Sequence, residues 1–169
     1  MSEKEGIISM TLQEVLDSGV RCYQNRDVKG AIFYFEHYVQ YVSDNDEVLH
    51  LLVQLKCEVN DYSQALRLSE KLVKYKPEND EYKFTFAKAL FFNNSFAKAE
   101  KILLFLKGKF PLSSDVLDFL ERIYTKQGDK LSAKRIVNLK DKVEKEIDPV
   151  KKEISKTVTL ASTMIEEDK

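Results

Sequence analysis

An all-α array of four helix–turn–helix repeats, closed by a terminal helix, is the fold this sequence predicts. Three observations predict it. Ala31, Ala65, Ala99 and Ala133 return at a fixed interval of 34 residues. Four positions ahead of them stand Asp27, Asp61, Ser95 and Asp129, whose side-chain oxygens can accept from the free N–H groups of a first helical turn. Behind the caps, VKGAIFYFEHYV, YSQALRLSEKLV and FAKAEKILLFLK carry apolar residues at helical spacing.

The elements follow in order. A flexible N-terminus is expected over residues 1–11. Thr11 and Glu14 then form a capping box for a helix through LQEVLDSGVRCYQ. The segments DEVLHLLVQLKCEV and DEYKFTFAKALFFN have acidic residues in their first turns, which favours the helix dipole. Pro77 and Pro111 stop the second and third units at matching places, where Ser43 stands in the first. The fourth capped segment, KLSAKRIVNLKD, is weaker, with Lys130 in the place of Val28, Tyr62 and Phe96. The repeats are placed at about 12–45, 46–79, 80–113 and 114–147. Asp148 and Pro149 read as N-cap and first residue of a terminal helix within residues 148–162, and residues 163–169 as a disordered tail. Ile136, Val143, Ile147, Val150, Ile154 and Thr157 or Val158 continue an apolar stripe into that helix. It reads as a cap on the last repeat, or as a short coiled-coil or partner-binding extension.

Composition narrows the function classes. The 169 residues, 43% hydrophobic, suffice for one continuous core. Up to Asn60 there are 5 basic and 10 acidic residues, and beyond it 22 and 18. That thin basic surplus argues against nucleic-acid binding, which needs a dense basic patch. Cys22 and Cys57 sit in no metal-ligand spacing, so a reducing, cytoplasmic setting is expected. No leader pattern or membrane-spanning apolar run is evident. His37 and His50 fall in no catalytic motif, and the five glycines form no phosphate-binding loop. Neither an enzyme, a cofactor nor a metal is expected.

The repeat resembles the tetratricopeptide family over about residues 12–147. The matching residues are Gly19, Ala31 and Phe35; Leu52, Tyr62, Ala65 and Pro77; Phe86, Ala87, Leu90, Phe96, Ala99 and Pro111; and Leu120, Tyr124, Gly128 and Ala133. Tyr38, Lys56, Glu121 and Lys140 depart from the pattern, so looser packing is expected there, with unit four splayed. The resemblance implies a right-handed α-solenoid whose first helices line a concave groove.

Two stripes on the first helices follow from that geometry. The stacking stripe reads Val48, Leu51, Leu55; Tyr82, Thr85, Ala89; and Val116, Phe119, Ile123, whereas unit one has Glu14, Asp17 and Arg21 there. Charges are rarely buried unpaired, so that edge is expected to face water and begin the stack. The groove stripe supplies the candidate partner-binding residues: Leu16, Val20 and Tyr23, His50 and Gln54, Phe84, Lys88 and Phe91, and Arg122. Phe84, Phe91 and Phe92 read equally as core residues of a slightly rotated helix.

Many tetratricopeptide cochaperones clamp a C-terminal carboxylate with Lys, Asn and Arg. The corresponding places hold Leu16, Val20, Leu51, Glu81 and Thr85, or, one unit on, His50, Gln54, Thr85, Asp115 and Phe119, and neither set would neutralise it. The function expected is a non-enzymatic module, an adaptor or chaperone-like binder of a helical or extended protein segment. The alternative is a structural subunit of a larger assembly, such as a secretion or motility apparatus, docking by its ends and terminal helix. A homo-oligomer is compatible with either. On the outer face, Phe33, Leu104 and Phe105 would matter if they joined one patch.

Overall fold

The computed structural model describes residues 10–145, and all regular structure among them is helical. The helices are α1 Leu12–Gln24, α2 Val28–Tyr41, α3 Asp46–Glu58, α4 Tyr62–Tyr75, α5 Asp80–Phe92, α6 Phe96–Lys109 and α7 Ser114–Gln127. An eighth, α8, runs over residues 130–145. They pack in sequential pairs. The expected terminal helix, its stripe from Ile147 onward, the C-terminal tail and residues 1–9 lie outside the described residues.

One turn, used four times, makes the pairs. Arg26, Asn60, Asn94 and Gly128 stand 34 residues apart and all have positive φ, 60°, 61°, 58° and 77°. After each, the next N–H reaches back five residues: Asp27 to the Cys22 carbonyl, Asp61 to Lys56, Ser95 to Leu90 and Asp129 to Tyr124, at 2.8–2.9 Å. The left-handed residue also donates to the carbonyl three residues earlier. These paired bonds satisfy carbonyls that a helix end leaves orphaned. The residue that completes one helix then caps the next. Asp27 accepts from the Gly30 N–H, Asp61 from Gln64 and Asp129 from Ser132. Three of the four first helices are capped as well: Thr11 and Glu14 form the full capping box, and Asn45 and Asn79 accept from their own first turns, whereas Ser113 ahead of α7 makes no side-chain cap bond.

The described chain divides into two compact units between Leu103 and Leu104, inside α6. In the first, Phe35, Leu49, Leu52, Val53 and Leu72 are almost completely buried. Ala31, Ala65 and Ala99 are fully buried, because a methyl group is all that the closely approaching helices leave room for. Gly19 has less room still: a Cβ there would lie 2.6 Å from Phe35 Cε1. The second unit buries Leu106, Val116, Leu117, Leu120, Ile123, Ile136 and Val143, while Ala133 is only half-buried. Along the stacking stripe, Glu14, Asp17 and Arg21 are exposed, whereas Val48, Leu55, Tyr82, Thr85, Ala89, Val116 and Ile123 are buried.

The departures from the repeat pattern form compensated contacts. Lys56 is only 8% exposed, and its Nζ lies 2.6 Å from Glu36 and 3.2 Å from Asp61. Burial pulls the Lys56 pKa down, but its bonds to both carboxylates outweigh that and leave it raised. In the second unit, Lys140 meets Glu121 at 2.8 Å and Asp118 at 2.5 Å. Two residues standing where small ones were expected are thus each other's partners, and the splaying anticipated for unit four is replaced at this place by an ion-pair bridge between α7 and α8. Tyr38 is buried, and its hydroxyl accepts a weak 3.4 Å bond from Asn45 Nδ2.

Candidate functional site

Three positions of the first helices carry the candidate residues, because i, i+4 and i+7 share one helical face. In the first compact unit these are Leu16, Val20 and Tyr23 on α1; His50, Gln54 and Cys57 on α3; and Phe84, Lys88 and Phe91 on α5. Each set lies 34 residues from the next, so equivalent rungs present different chemistry.

The α1 rung is apolar and accessible. Val20 is 38% and Tyr23 46% exposed, while Leu16 is half-buried and packs partly against the core. Tyr23 borders a depression of about 460 Å³ whose wall includes Val28, Leu55 and Glu58, at the C-terminal ends of α1 and α3. Its lining also includes the charged residues Arg26 and Glu58.

The α3 rung is polar and tied down. His50 Nε2 is 2.9 Å from Thr85 Oγ1 and 3.3 Å from Gln54 Nε2, and its ring lies 5.0 Å from that of Tyr82. Burial lowers the His50 pKa and nearby Lys88 adds to that, against the opposing pull of Glu81, 3.9 Å away. Tyr82 donates to Asp46 Oδ2 at 2.8 Å. Its own pKa is pushed up to about 12 by burial and by that carboxylate, whose pKa is lowered by the same bond. Tyr82 and Thr85, read from sequence only as stacking residues, therefore also hold a candidate site residue. Their signal was present, since a polar Thr and a Tyr hydroxyl on a buried stripe need partners.

The α5 rung divides. Lys88 is half-buried with its Nζ 5.7 Å from the Phe84 ring centroid, within cation–π range. Phe91 is 6% exposed, with its ring 5.5 Å from Phe96 and 5.4 Å from Phe92. This is a correction: Phe91 is a core residue, because Phe96 at the start of α6 offers a ring where the equivalent residue of the first repeat is the shorter Val28. Phe92 is half-buried and stacked on Tyr62 at 4.7 Å. In the second compact unit, Arg122 is exposed and lies 4.8 Å over the Phe119 ring.

On the outer face, Leu104 and Phe105 are 41% and 52% exposed, whereas Phe33 packs partly against the core, edge-on to Tyr34. Among the described residues no group of His, Cys, Asp and Glu is placed to hold a metal ion, and no helix is long and apolar enough to cross a membrane.

Residues 24–106 match a family model described as anaphase-promoting complex, cyclosome, subunit 3. No curated protein sequence matches. Solved structures do. A MamA structure designated MSR-1 C2 superposes with a TM-score of 0.73 at 19% identity, covering 82% of this chain and 79% of that one. MamA 41-end from Desulfovibrio magneticus RS-1 gives 0.71 at 15% identity, covering 92% and 93%. At such identities the likeness speaks for the fold alone. Together with the 34-residue period, the four equivalent turns and the paired helices, it gives this chain a tetratricopeptide-like repeat fold.

Proposed function

We propose that this protein is a non-enzymatic adaptor or chaperone-like binder that receives a helical or extended segment of a partner protein along the first-helix face. The observation that carries this is the accessible apolar rung of Leu16, Val20 and Tyr23 beside the depression at Tyr23. An apolar strip with charged residues beside it suits an amphipathic segment whose apolar side chains dock and whose polar side stays wet. His50, Gln54, Lys88 and Phe84 then supply directional and cation–π contacts along the same face. A cytoplasmic setting accords with the free thiols of Cys22 and Cys57.

Val20→Glu with Tyr23→Glu tests the reading, since both side chains are exposed enough to change without disturbing the core. Amphipathic peptides selected from a displayed library on the native protein should lose at least tenfold in affinity for the double variant at unchanged melting temperature. Equal binding would remove the groove from consideration.

The exposed Leu104 and Phe105 favour a second reading, a structural subunit that docks through its outer face and terminal helix. Deleting residues 148–169 should then abolish assembly while leaving peptide binding intact; retained assembly counts against that reading.

A further inference from the structure

Two grooves between second helices occupy equivalent places in the repeat. One of about 580 Å³ runs between α2 and α4 in the first compact unit, and one of about 370 Å³ between α6 and α8 in the second. Advancing two periods carries Arg67 onto Arg135, Lys74 onto Lys142 and Leu68 onto Ile136. The basic pair and the apolar floor recur. The carboxylates do not: Glu36 and Glu70 line the first groove, but Leu104 and Asn138 stand at their places in the second. Lys107 also replaces Val39, and Leu139 replaces Lys71.

The first groove therefore balances three cations against two carboxylates, whereas Lys107, Arg135 and Lys142 line the second with no carboxylate among its lining residues. Among the described residues none of these three forms a salt bridge; the Asp129 carboxylate, which is not among the cleft's lining residues, has its pKa lowered chiefly by its bonds to Ser132 and in part by the charge of Arg135. Like charges gathered over an apolar floor repel one another and gain by meeting opposite charge, which is the electrostatic complementarity of a recognition surface. Three cations around one small cleft also differ from the extended basic track that a nucleic-acid backbone needs.

We propose that the cleft between α6 and α8 is a docking site for an acidic segment of a partner protein. Carboxylates on the segment pair with Lys107, Arg135 and Lys142, Arg135 offering its planar fork, and an aliphatic side chain between them rests on Ile136 and Leu139. The site lies on second helices, so it stands or falls separately from the first-helix face.

The test is a fluorescence-anisotropy titration of the full chain with a short labelled peptide carrying Asp and Glu on both sides of a leucine pair. The parallel probes are the same peptide with Asn and Gln, a short single-stranded RNA, and anionic phospholipid vesicles. The acidic peptide should bind, more weakly as salt rises, and Lys107→Gln with Lys142→Gln should weaken it at least tenfold at unchanged melting temperature. Arg67→Gln with Lys74→Gln, at the equivalent places in the first groove, should leave it unaltered. No binding of the acidic peptide, equal binding of the amide peptide, equal loss from both variant pairs, or preference for RNA or vesicles would overturn the proposal.

Discussion

Lys56 Nζ lies 2.6 Å from Glu36 Oε1, joining the end of α3 to the middle of α2 through a side chain that is almost wholly buried. The lysine is shielded, but Glu36 and Asp61 remain 45% and 37% exposed and so stay solvated if it is removed. Lys56→Met should therefore leave stability within about 1 kcal/mol of the native protein or raise it. Glu36→Gln combined with Asp61→Asn strands the buried ammonium and should cost about 1–3 kcal/mol. Urea denaturation of the two variants separates these outcomes. Because the folded pKa of Lys56 is raised, the contribution is fully present below the ordinary lysine value of 10.5 and is lost as pH rises through the folded value.

The four turns offer an internal comparison. Arg26 holds a left-handed conformation that asparagine fills in two equivalent turns and glycine in the fourth. A β-carbon in that region costs about 1–2 kcal/mol, set against the greater unfolded freedom of glycine. Arg26→Gly should therefore stabilise by about 0.5 kcal/mol. Gly128→Ala has open space around the new methyl, yet its φ of 77° should make it cost about 1 kcal/mol. Denaturation midpoints read both signs.

Gly19 fails for a different reason. It sits within a helix, but an added Cβ would meet Phe35 Cδ1 at 2.7 Å and Tyr34 Cβ at 3.2 Å. Gly19→Ala should destabilise by about 1–3 kcal/mol through overpacking, and Phe35→Leu should recover part of that loss in the double variant. A double-mutant cycle with no coupling between the two positions would contradict the contact.

His50 gives the first unit a mild acid sensitivity. Its folded pKa is lowered, chiefly by burial, so below its ordinary value of 6.5 the unfolded chain binds the proton more readily. Stability should be unaffected by this residue above 6.5 and fall progressively as pH drops below it, through the depressed folded value. His50→Gln should flatten the slope of unfolding free energy between about pH 6.5 and pH 5, a window above most carboxylate titration.

The scaffold was legible because its causes are local or strictly periodic. Asp27, Asp61 and Asp129 cap helices with their own side chains over three residues, and the buried alanines announce close helix approach by their spacing alone. The exposed edge of Glu14, Asp17 and Arg21 was readable for the same reason, since charge at a stacking position states that nothing apolar covers it. The positive-φ position was less visible: two asparagines and a glycine hint at it, but Arg26 breaks the pattern and only backbone geometry reveals it.

The candidate site was legible as a set of positions and not as a set of surfaces. Helical periodicity places Tyr23, Cys57 and Phe91 on equivalent rungs, yet Tyr23 is open and Phe91 closed, because exposure depends on what the next helix brings. Phe96 is bulky enough to cover Phe91. Likewise the sequence shows Glu121 and Lys140 as two separate departures from a pattern, and only packing shows that they are one contact.

The sequence by itself determined the repeat, the helix pairs, their caps and the face from which partner contacts are expected, because hydrogen-bonded ends and apolar periodicity act within a few residues. Tertiary structure decided which charges are paired, which aromatic rings remain accessible, and which side chains line a groove together. Those outcomes turn on distances between residues far apart in the chain, where an ångström separates an ion pair from a bare charge.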